Sequence, residues 1–315
     1  MMIVEGGGRC YKSAQHLGFC SVFSAFISMR SKDHSVFGFL QDSSTAIRHG
    51  SLDLGFGRSC AIWSNHQDHV TYDELHGHAF SMYVRKGEDV WRVDQKPVRG
   101  WPGAVCIFPQ GQSSEWEVNG PLTMMHLYLP DEELRRCYSE MMDRDGRQIA
   151  LADVTYAKPE GLIVPFSRLF GETCAGNALG AEEAMVDLIA EVLSQKRFHG
   201  EQVKAIRGGL SMPVKRKLTD FIEDNLDEAI RLRDLAYIAD LSEFHLQRSF
   251  KQTCGVSPSL FVAHRRVERA KMLMRAGEPL VQVADACGFS SQSHFTRSFK
   301  AGTGMTPTAF RKAVV

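Results

Sequence analysis

The order of hydrophobic and polar positions divides this chain into two parts of different character. Between about residues 19 and 129, short apolar or alternating runs are separated by turn residues such as Gly87 and Gly100. The segment 90–94 alternates between two faces, and 105–108 is a continuous apolar run, as in half-buried and fully buried strands. Regularly spaced short strands predict an all-β sandwich or barrel in this part.

After Pro130 the spacing becomes helical, and a helix is predicted from Asp131 to about Met142. The segment 181–198 then carries an apolar stripe at helical spacing. The stripe consists of Ala184, Met185, Leu188, Ile189, Val192 and Leu193. A stripe this narrow must be buried, and the sequence leaves two partners open: the chain's own β domain or a second copy of the protein.

The last third of the chain is predicted to be entirely helical. Pro213 is a favourable first residue for its first helix, and a later, long helix is stopped by Gly277 and Pro279. The predicted short helix pairs are 232–239 with 243–253 and 280–287 with 291–301, on either side of a long helix at 258–276. The predicted organisation is a domain at 1–200, a linker at 201–212 and a helical domain at 213–315.

One pattern, H-x2-R-S-F-K-x3-G-x-[S/T]-P-x2-F, occurs twice in this helical part. The copies begin at His245 and His294, 49 residues apart. Nine constrained positions in register indicate one structural unit used twice, and a short apolar helix followed by a tight turn before each copy predicts a helix-turn-helix. Upstream of the two histidines, equivalent residues of the two copies lie 48 positions apart and not 49, so the turn of the second unit holds one extra residue. The two units are therefore expected to read two different half-sites of a non-palindromic DNA element.

Charge is distributed unequally, although the whole chain carries 37 basic and 37 acidic residues and no net charge. From Leu210 to the end there are 16 Lys and Arg residues against 11 Asp and Glu residues, so this part carries +5 and the remainder −5. A basic module joined to an acidic one favours double-stranded DNA as the partner of the helical part.

The eight cysteines are scattered, with no pair spaced for a zinc module or a disulfide framework, which predicts free thiols in a reducing cytoplasm. The chain starts without a basic segment followed by an apolar run, so no signal peptide is expected. Its longest weakly polar stretch, 19–29, is about half the length of a membrane span, so no membrane partner is expected either.

The C-terminal hundred residues resemble the AraC/XylS family of bacterial transcription regulators. The stretch 242–251 is similar to that family's first recognition helix, and 284–289 with 295–300 and 304–307 is similar to its second-unit signature. The resemblance implies an all-α domain of seven helices with two helix-turn-helix units, promoter DNA and RNA polymerase as partners, a homodimer, and regulation, for example activation, rather than enzymatic activity. A connecting helix of about 28 Å fits two recognition helices placed about one 34 Å turn of B-DNA apart.

Candidate DNA-contacting residues lie on the two recognition helices. Arg248 and Arg297 occupy equivalent positions, and Arg binds guanine with two hydrogen bonds. Gln247 suits adenine and Phe244 suits a thymine methyl group. Ser291 and Gln292 lie near a helix N-terminus, which favours phosphate. The full candidate set is Phe244, Gln247, Arg248, Lys251, Ser291, Gln292, Ser293, His294, Arg297 and Lys300.

The N-terminal part resembles the cupin family more locally. His76-Gly77-His78, followed by the spacing of Gly103, Pro109 and Gly111, is similar to the two cupin motifs. No Glu follows His78 at the expected distance, and Ser114 stands where the second motif has its His, so too few metal ligands remain and no metal or other cofactor is expected.

The predicted fold class is therefore α+β, with a cupin-like β-barrel followed by helices and then the all-α domain. The barrel is predicted to bind a small-molecule effector of aromatic or sugar-like character. The candidate effector residues are His76, His78, Tyr83, Trp91 and Trp116. A metal-dependent cupin enzyme fused to a DNA-binding domain, and an interaction protein that dimerises through 181–198, are the alternative hypotheses.

Overall fold

The computed structural model describes residues 33–200 and 206–314, so part of the predicted linker and the first two cysteines lie outside the described residues. A short helix α1 (Val36–Asp42) precedes the strands. The strands are β1 (Ile47–Asp53), β2 (Ser59–Asn65), β3 (Asp68–Tyr72), β4 (His78–Lys86), β5 (Val90–Arg92), β6 (Val105–Phe108), β7 (Ser114–Val118), β8 (Leu122–Leu129) and β9 (Val154–Ala157). The strand predictions at 90–94 and 105–108 are confirmed as β5 and β6.

The strands form two sheets, one with the order β1-β2-β8-β4-β6-β9 and one with the order β3-β7-β5. Alternation along β8 explains how the large sheet is covered. Met124 and Tyr128 point towards the small sheet, while Met125 and Leu127 point to the opposite face. Aromatic side chains line the space between the sheets. These include Trp63, Tyr72, Tyr83, Phe108, Trp116 and Tyr128.

The arrangement is a sandwich rather than the closed cupin-like barrel that the resemblance implied. Within the described residues the large sheet begins at β1 and ends at β9, and these two edge strands do not pair with each other. The barrel prediction rested on the regular spacing of short strands and on two short motifs, one around His76 and one from Gly103 to Gly111, and none of these determines which strands pair across the sheet edges. The coarser prediction of a sheet-rich N-terminal part is confirmed.

Three helices cover the other face of the large sheet: α2 (Asp131–Met141), α3 (Ile163–Ala175) and α4 (Ala178–Ser194). The apolar stripe of α4 packs against this sheet, where Met185 and Leu188 share one core with Phe80 and Leu127. The stripe is therefore buried within its own chain, and the alternative in which 181–198 pairs with a second copy is wrong.

The C-terminal part is helical, as predicted. Its helices are α5 (Met212–Asp224), α6 (Leu232–Ala239), α7 (Glu243–Cys254), α8 (Pro258–Arg275), α9 (Leu280–Ala286), α10 (Gln292–Thr303) and α11 (Pro307–Val314). Two apolar cores form, and α8 contributes to both: Phe261 belongs to the core of the first unit and Met274 to that of the second. Among the helices of the described ranges, none is long and apolar enough to cross a membrane.

Candidate nucleic-acid interface

The first recognition helix, α7, separates a buried face from an exposed one. The Ser242 side chain accepts a hydrogen bond from the backbone N–H of His245 and so caps the helix. Leu246, Phe250 and Cys254 are buried at helical spacing. The opposite face carries the four predicted DNA residues Phe244, Gln247, Arg248 and Lys251, all exposed. Phe244, a large apolar side chain, is 71% exposed.

The second recognition helix, α10, repeats this arrangement with different side chains. Ser291 caps it by accepting from the backbone N–H of His294. The predicted residues Ser291, Gln292, Ser293, Arg297 and Lys300 are exposed, whereas His294 is half-buried. The ring of His294 meets Phe289 edge-on at 5.4 Å, and its Nδ1 lies 3.1 Å from the Ser290 hydroxyl. His294 thus contributes to the packing of its own unit.

The repeated phenylalanines make the same contact in both units. Phe250 and Phe261 have ring centroids 5.4 Å apart at an angle of 76°, and Phe299 and Phe310 have centroids 5.4 Å apart at 77°. Edge-to-face pairs of this kind are a favourable aromatic geometry. The sequence repeat therefore corresponds to a repeated core.

A cleft separates the exposed face of α7 from helix α2 of the sheet-rich part. Its volume is about 590 Å³. The lining includes all four predicted residues of α7 and, from the sheet-rich part, Asp131, Glu132, Arg135 and Arg147. The Lys251 ammonium group donates to the Glu132 carboxylate. An acidic helix terminus thus lies beside the predicted reading face of the first unit.

The second unit is attached to the sheet-rich part at the C-terminal end of α10. The loop between β1 and β2 reaches this end, where the backbone N–H of Phe56 donates to the carbonyl of Ala301 at 2.7 Å. Nη2 of Arg58 donates to the carbonyl of Gly302 at 3.0 Å. A Cβ on Gly304 would lie 2.0 Å from the Asp53 carbonyl oxygen, so this contact requires glycine.

Buried charges join the sheet-rich part to the connecting helix α8. Glu182 forms ion pairs with Arg58 at 3.3 Å and with Lys271 at 2.8 Å. His264 Nε2 lies 2.9 Å from Glu133 Oε1, and the Phe56 ring stacks on the His264 ring. Burial lowers the pKa of His264 to about 4. Burial alone would raise the pKa of Glu133, but His264 and then Arg136 lower it to about 2. The neutral imidazole therefore faces a carboxylate.

The predicted effector residues do not come together. Tyr83 and Trp116 point into the space between the two sheets. Trp91 lies on the outer face of the small sheet, where the Arg99 guanidinium covers its ring. His76 is exposed in a loop, and His78 is used structurally: its Nδ1 accepts from the Gln110 N–H, and its Nε2 lies 3.3 Å from Asp131.

Two buried polar groups between the sheets escaped the sequence reasoning. Ser81 and His126 are partners in the pairing of β4 with β8, and the Ser81 Oγ and His126 Nε2 atoms have no hydrogen-bond partner among the described residues. Burial lowers the pKa of His126 to about 3, so the ring is neutral. The alternation of side chains along β8 could have predicted that His126 is buried, because it lies on the same face of the strand as Met124 and Tyr128. In the described ranges, no group of three or more His, Cys, Asp or Glu residues is arranged to hold a metal ion.

Comparisons with known proteins place similarity on the helical part. Residues 235–313 match a family described as a helix-turn-helix domain. The probable transcriptional regulator LumQ of Photobacterium leiognathi is 36% identical over 95 residues, which are 30% of this chain and 38% of LumQ. The multiple antibiotic resistance protein MarA of Escherichia coli K12 is 35% identical over 95 residues, which are 30% of this chain and 75% of MarA.

Among solved structures, a transcriptional regulator with an AraC-type DNA-binding domain from Chromobacterium violaceum is 32% identical. The match covers 33% of this chain and 93% of that chain, with a TM-score of 0.31.

Proposed function

The chain belongs to the AraC/XylS family of transcriptional regulators, and on this premise we propose that it binds promoter DNA through both helix-turn-helix units under the control of a small molecule. The observation that carries the DNA-binding role is the pair of capped helices α7 and α10, each with the same aromatic core contact beneath an exposed polar face. The proposed organisation is a sensing domain at 1–200, a linker at 201–212 and a DNA-binding domain at 213–315.

Base reading is assigned to the exposed side chains of these two helices. Arg248 and Arg297 supply paired donors suited to guanine, Gln247 suits adenine, and Phe244 suits the methyl group of thymine. Lys251, Lys300 and the serines at the start of α10 are assigned to phosphate and positioning contacts. Because the two faces differ, one chain reads an asymmetric element.

The effector is proposed to bind between the two sheets of the sandwich. Support comes from Ser81 Oγ and His126 Nε2, two buried polar atoms with no partner in the described part of the chain. Buried polar groups are nearly always hydrogen-bonded, because an unpaired one costs about 1–3 kcal/mol. With Tyr83 and Trp116 nearby, the environment suits a small, neutral aromatic or sugar-like molecule.

The remaining partners follow from the same proposal. A regulator at a promoter acts on RNA polymerase, and we infer that the working form in the cytoplasm is a homodimer. The dimer contact must lie outside the apolar stripe of α4, because that stripe is buried within the chain. An effector acts by binding more tightly to one arrangement of the DNA-binding units than to another.

The DNA-reading role is tested by replacing one arginine at a time in the full chain. Duplexes are first selected from a random library by the wild-type protein. Arg248→Ala and Arg297→Ala are each expected to lose about 1–3 kcal/mol of binding free energy and to relax preference at one base pair, in different halves of the element. Lys217→Ala, which removes an exposed charge from α5, is the control and should leave base preference unchanged. Unaltered base preference in both arginine variants would refute the assignment.

The effector site is tested by melting temperature across a metabolite library. A ligand that binds only the folded state at 100 times its Kd stabilises by about 2.7 kcal/mol. The shift should disappear in His126→Gln and persist in Trp91→Ala, whose side chain lies on the outer face. Loss of the shift in Trp91→Ala alone would move the site to the outer face of the small sheet.

A further inference from the structure

The turn of the second helix-turn-helix unit lies directly against the first unit. Gly288 has a φ of +65° at the end of α9, and a Cβ on it would lie 2.4 Å from the carbonyl oxygen of Leu226. Leu226 is part of the apolar core of the first unit. The backbone of the second turn thus packs too closely against the first unit to leave room for a side chain.

The equivalent turn of the first unit shows that close packing, and not the turn itself, requires glycine. Asp240 has a φ of +55° and caps α6 in the same left-handed conformation. The residues that follow these two positions differ in burial: Leu241, after Asp240, is 37% exposed, whereas Phe289, after Gly288, is 8% exposed. Only the second turn is held against another unit.

One side chain, Arg266 of α8, joins the two units at this place. Its Nε donates to the carbonyl of Leu226 at 3.0 Å, and its Nη2 donates to the carbonyl of Glu228. Its guanidinium carbon lies 5.9 Å from the centroid of the Phe289 ring. The planar, charged guanidinium presents its N–H donors in a rigid fork, so it can bind two carbonyls and an aromatic face at once with a fixed geometry.

Arg266 also lies between the two predicted reading surfaces. It lines a groove of about 300 Å³ together with Gln247 of α7 and with His294 and Ser298 of α10. Its contacts therefore lie between the two recognition helices.

We propose that Arg266 is a positioning residue that fixes the second helix-turn-helix unit relative to the first, and so selects the number of base pairs between the two DNA segments that one chain reads. The inference rests on the proposed DNA-binding function. One added base pair moves a half-site by about 3.4 Å and rotates it by about 35° around the duplex. A rigid pair of units accepts one spacing, whereas a loosened pair accepts several and binds the best of them less tightly.

The test uses the full chain and duplexes taken from the random-library selection. Spacing variants carry one base pair inserted or deleted between the two segments, and a further duplex keeps one segment only. Arg266→Ala should lose about tenfold or more on the selected spacing, because the second contact no longer benefits from a fixed geometry. It should bind the single-segment duplex within about twofold of wild type and show a flattened dependence on spacing.

Two further variants separate positioning from charge and folding. Arg269→Ala removes the same charge from the same helix at a side chain with no hydrogen bond or ion pair in the described ranges, and should keep the wild-type spacing profile. Arg266→Lys should retain part of it. Hydrogen exchange followed by mass spectrometry, without DNA, should show faster exchange at 225–231 and 284–290 in Arg266→Ala only.

A spacing-selective wild type with an equally selective Arg266→Ala variant would overturn the proposal, as would unchanged exchange in both segments. Failure of the wild-type chain to prefer any duplex is a different result, which would refute the DNA-binding function itself and this proposal with it.

Discussion

The two recognition helices share a core but are attached to the sheet-rich part in different ways. Beside α7, the acidic start of α2 lines a cleft along the predicted reading face. At α10, the β1–β2 loop holds the C-terminal carbonyls and leaves the predicted reading face free of that contact. Both recognition helices meet the sheet-rich part at their C-terminal ends, at Gly255 and at Gly304, and α7 is in addition flanked along its predicted reading face.

This difference separates two ways in which the N-terminal part can act on DNA binding. At the first unit, under the proposed function, carboxylates compete electrostatically with phosphate for the same cations. At the second unit, buried hydrogen bonds determine where the helix lies. The expected energies differ accordingly, because exposed ion pairs contribute about 0–1 kcal/mol and breaking a buried pair costs about 3–5 kcal/mol.

The largest effect is expected from Arg58→Ala. The replacement leaves the buried carboxylates of Glu182 and Glu133 with one cation fewer and removes the donor to Gly302, so stability should fall by about 3–5 kcal/mol. Thermal and denaturant unfolding measure the loss. Arg85→Ala, at an exposed position of β4, should change stability by less than about 0.5 kcal/mol. Similar midpoints for the two variants would show that the second unit is not held through Arg58.

Gly288→Ala should have the next largest effect. A left-handed conformation costs a non-glycine residue about 1–2 kcal/mol, and overpacking against Leu226 adds about 1–3 kcal/mol. The matched change Asp240→Ala, in the equivalent turn of the first unit, should cost about 1 kcal/mol or less, because it adds no atom to a contact. Unfolding curves compare the two. Equal losses would contradict the finding that only the second turn is packed against its neighbour.

Acid should weaken the junction at α8. A histidine has a pKa of about 6.5 when unfolded, whereas that of His264 is about 4 in the folded chain. Between these values the unfolded state binds more protons, so stability falls as the pH drops from about 6.5 to 4. His264→Gln should reduce the slope by up to about 1.4 kcal/mol per pH unit in this window.

Two other buried groups titrate near this window. Glu133 contributes only below about pH 4.5, and His126 adds a similar slope that the His264 substitution leaves in place. The wild-type and variant chains are compared by denaturant unfolding at pH 7, 6, 5 and 4.5. Parallel curves would mean that His264 is protonated in the folded chain.

The smallest effect is expected at the first unit, from Glu132→Gln. The change frees Lys251 for phosphate, so DNA affinity should rise about twofold to fivefold at low salt, and the dependence of log K on log salt should steepen by about one. Glu88→Gln, in the turn after β4, is the control. The counterpart Lys300 has no ion pair in the described ranges, so the α10 half of the site should be unaffected. An unchanged salt slope would count against competition at α7.

Local features of the helical part are predictable because their causes lie close together in sequence. Ser242 and Ser291 precede apolar helical runs, and the repeat identifies which phenylalanines are buried. The exposed face of Phe244 and Arg248 follows from the same spacing. The helices α6 to α10 therefore lie within a few residues of their predicted bounds.

Contacts between distant segments are not predictable from the pattern. Arg58, Glu182 and Lys271 are far apart in the chain, and nothing local shows that they meet. The apolar stripe of α4 predicts that this face of the helix is buried, but it does not show which part of the protein covers it. The cupin-like motif did not predict the partners of His78, the first residue of β4, because Gln110 and Asp131 are distant from it in the sequence.

The contrast between Gly288 and Asp240 has an evolutionary consequence for a tandem duplication. Two copies of one unit begin with the same freedom to change, but the copy that packs against its sibling loses that freedom at the point of contact. Substitutions are then expected to accumulate at the position of Asp240 and to be purged at that of Gly288. The positions at which the two copies differ in sequence therefore indicate which copy packs against the other.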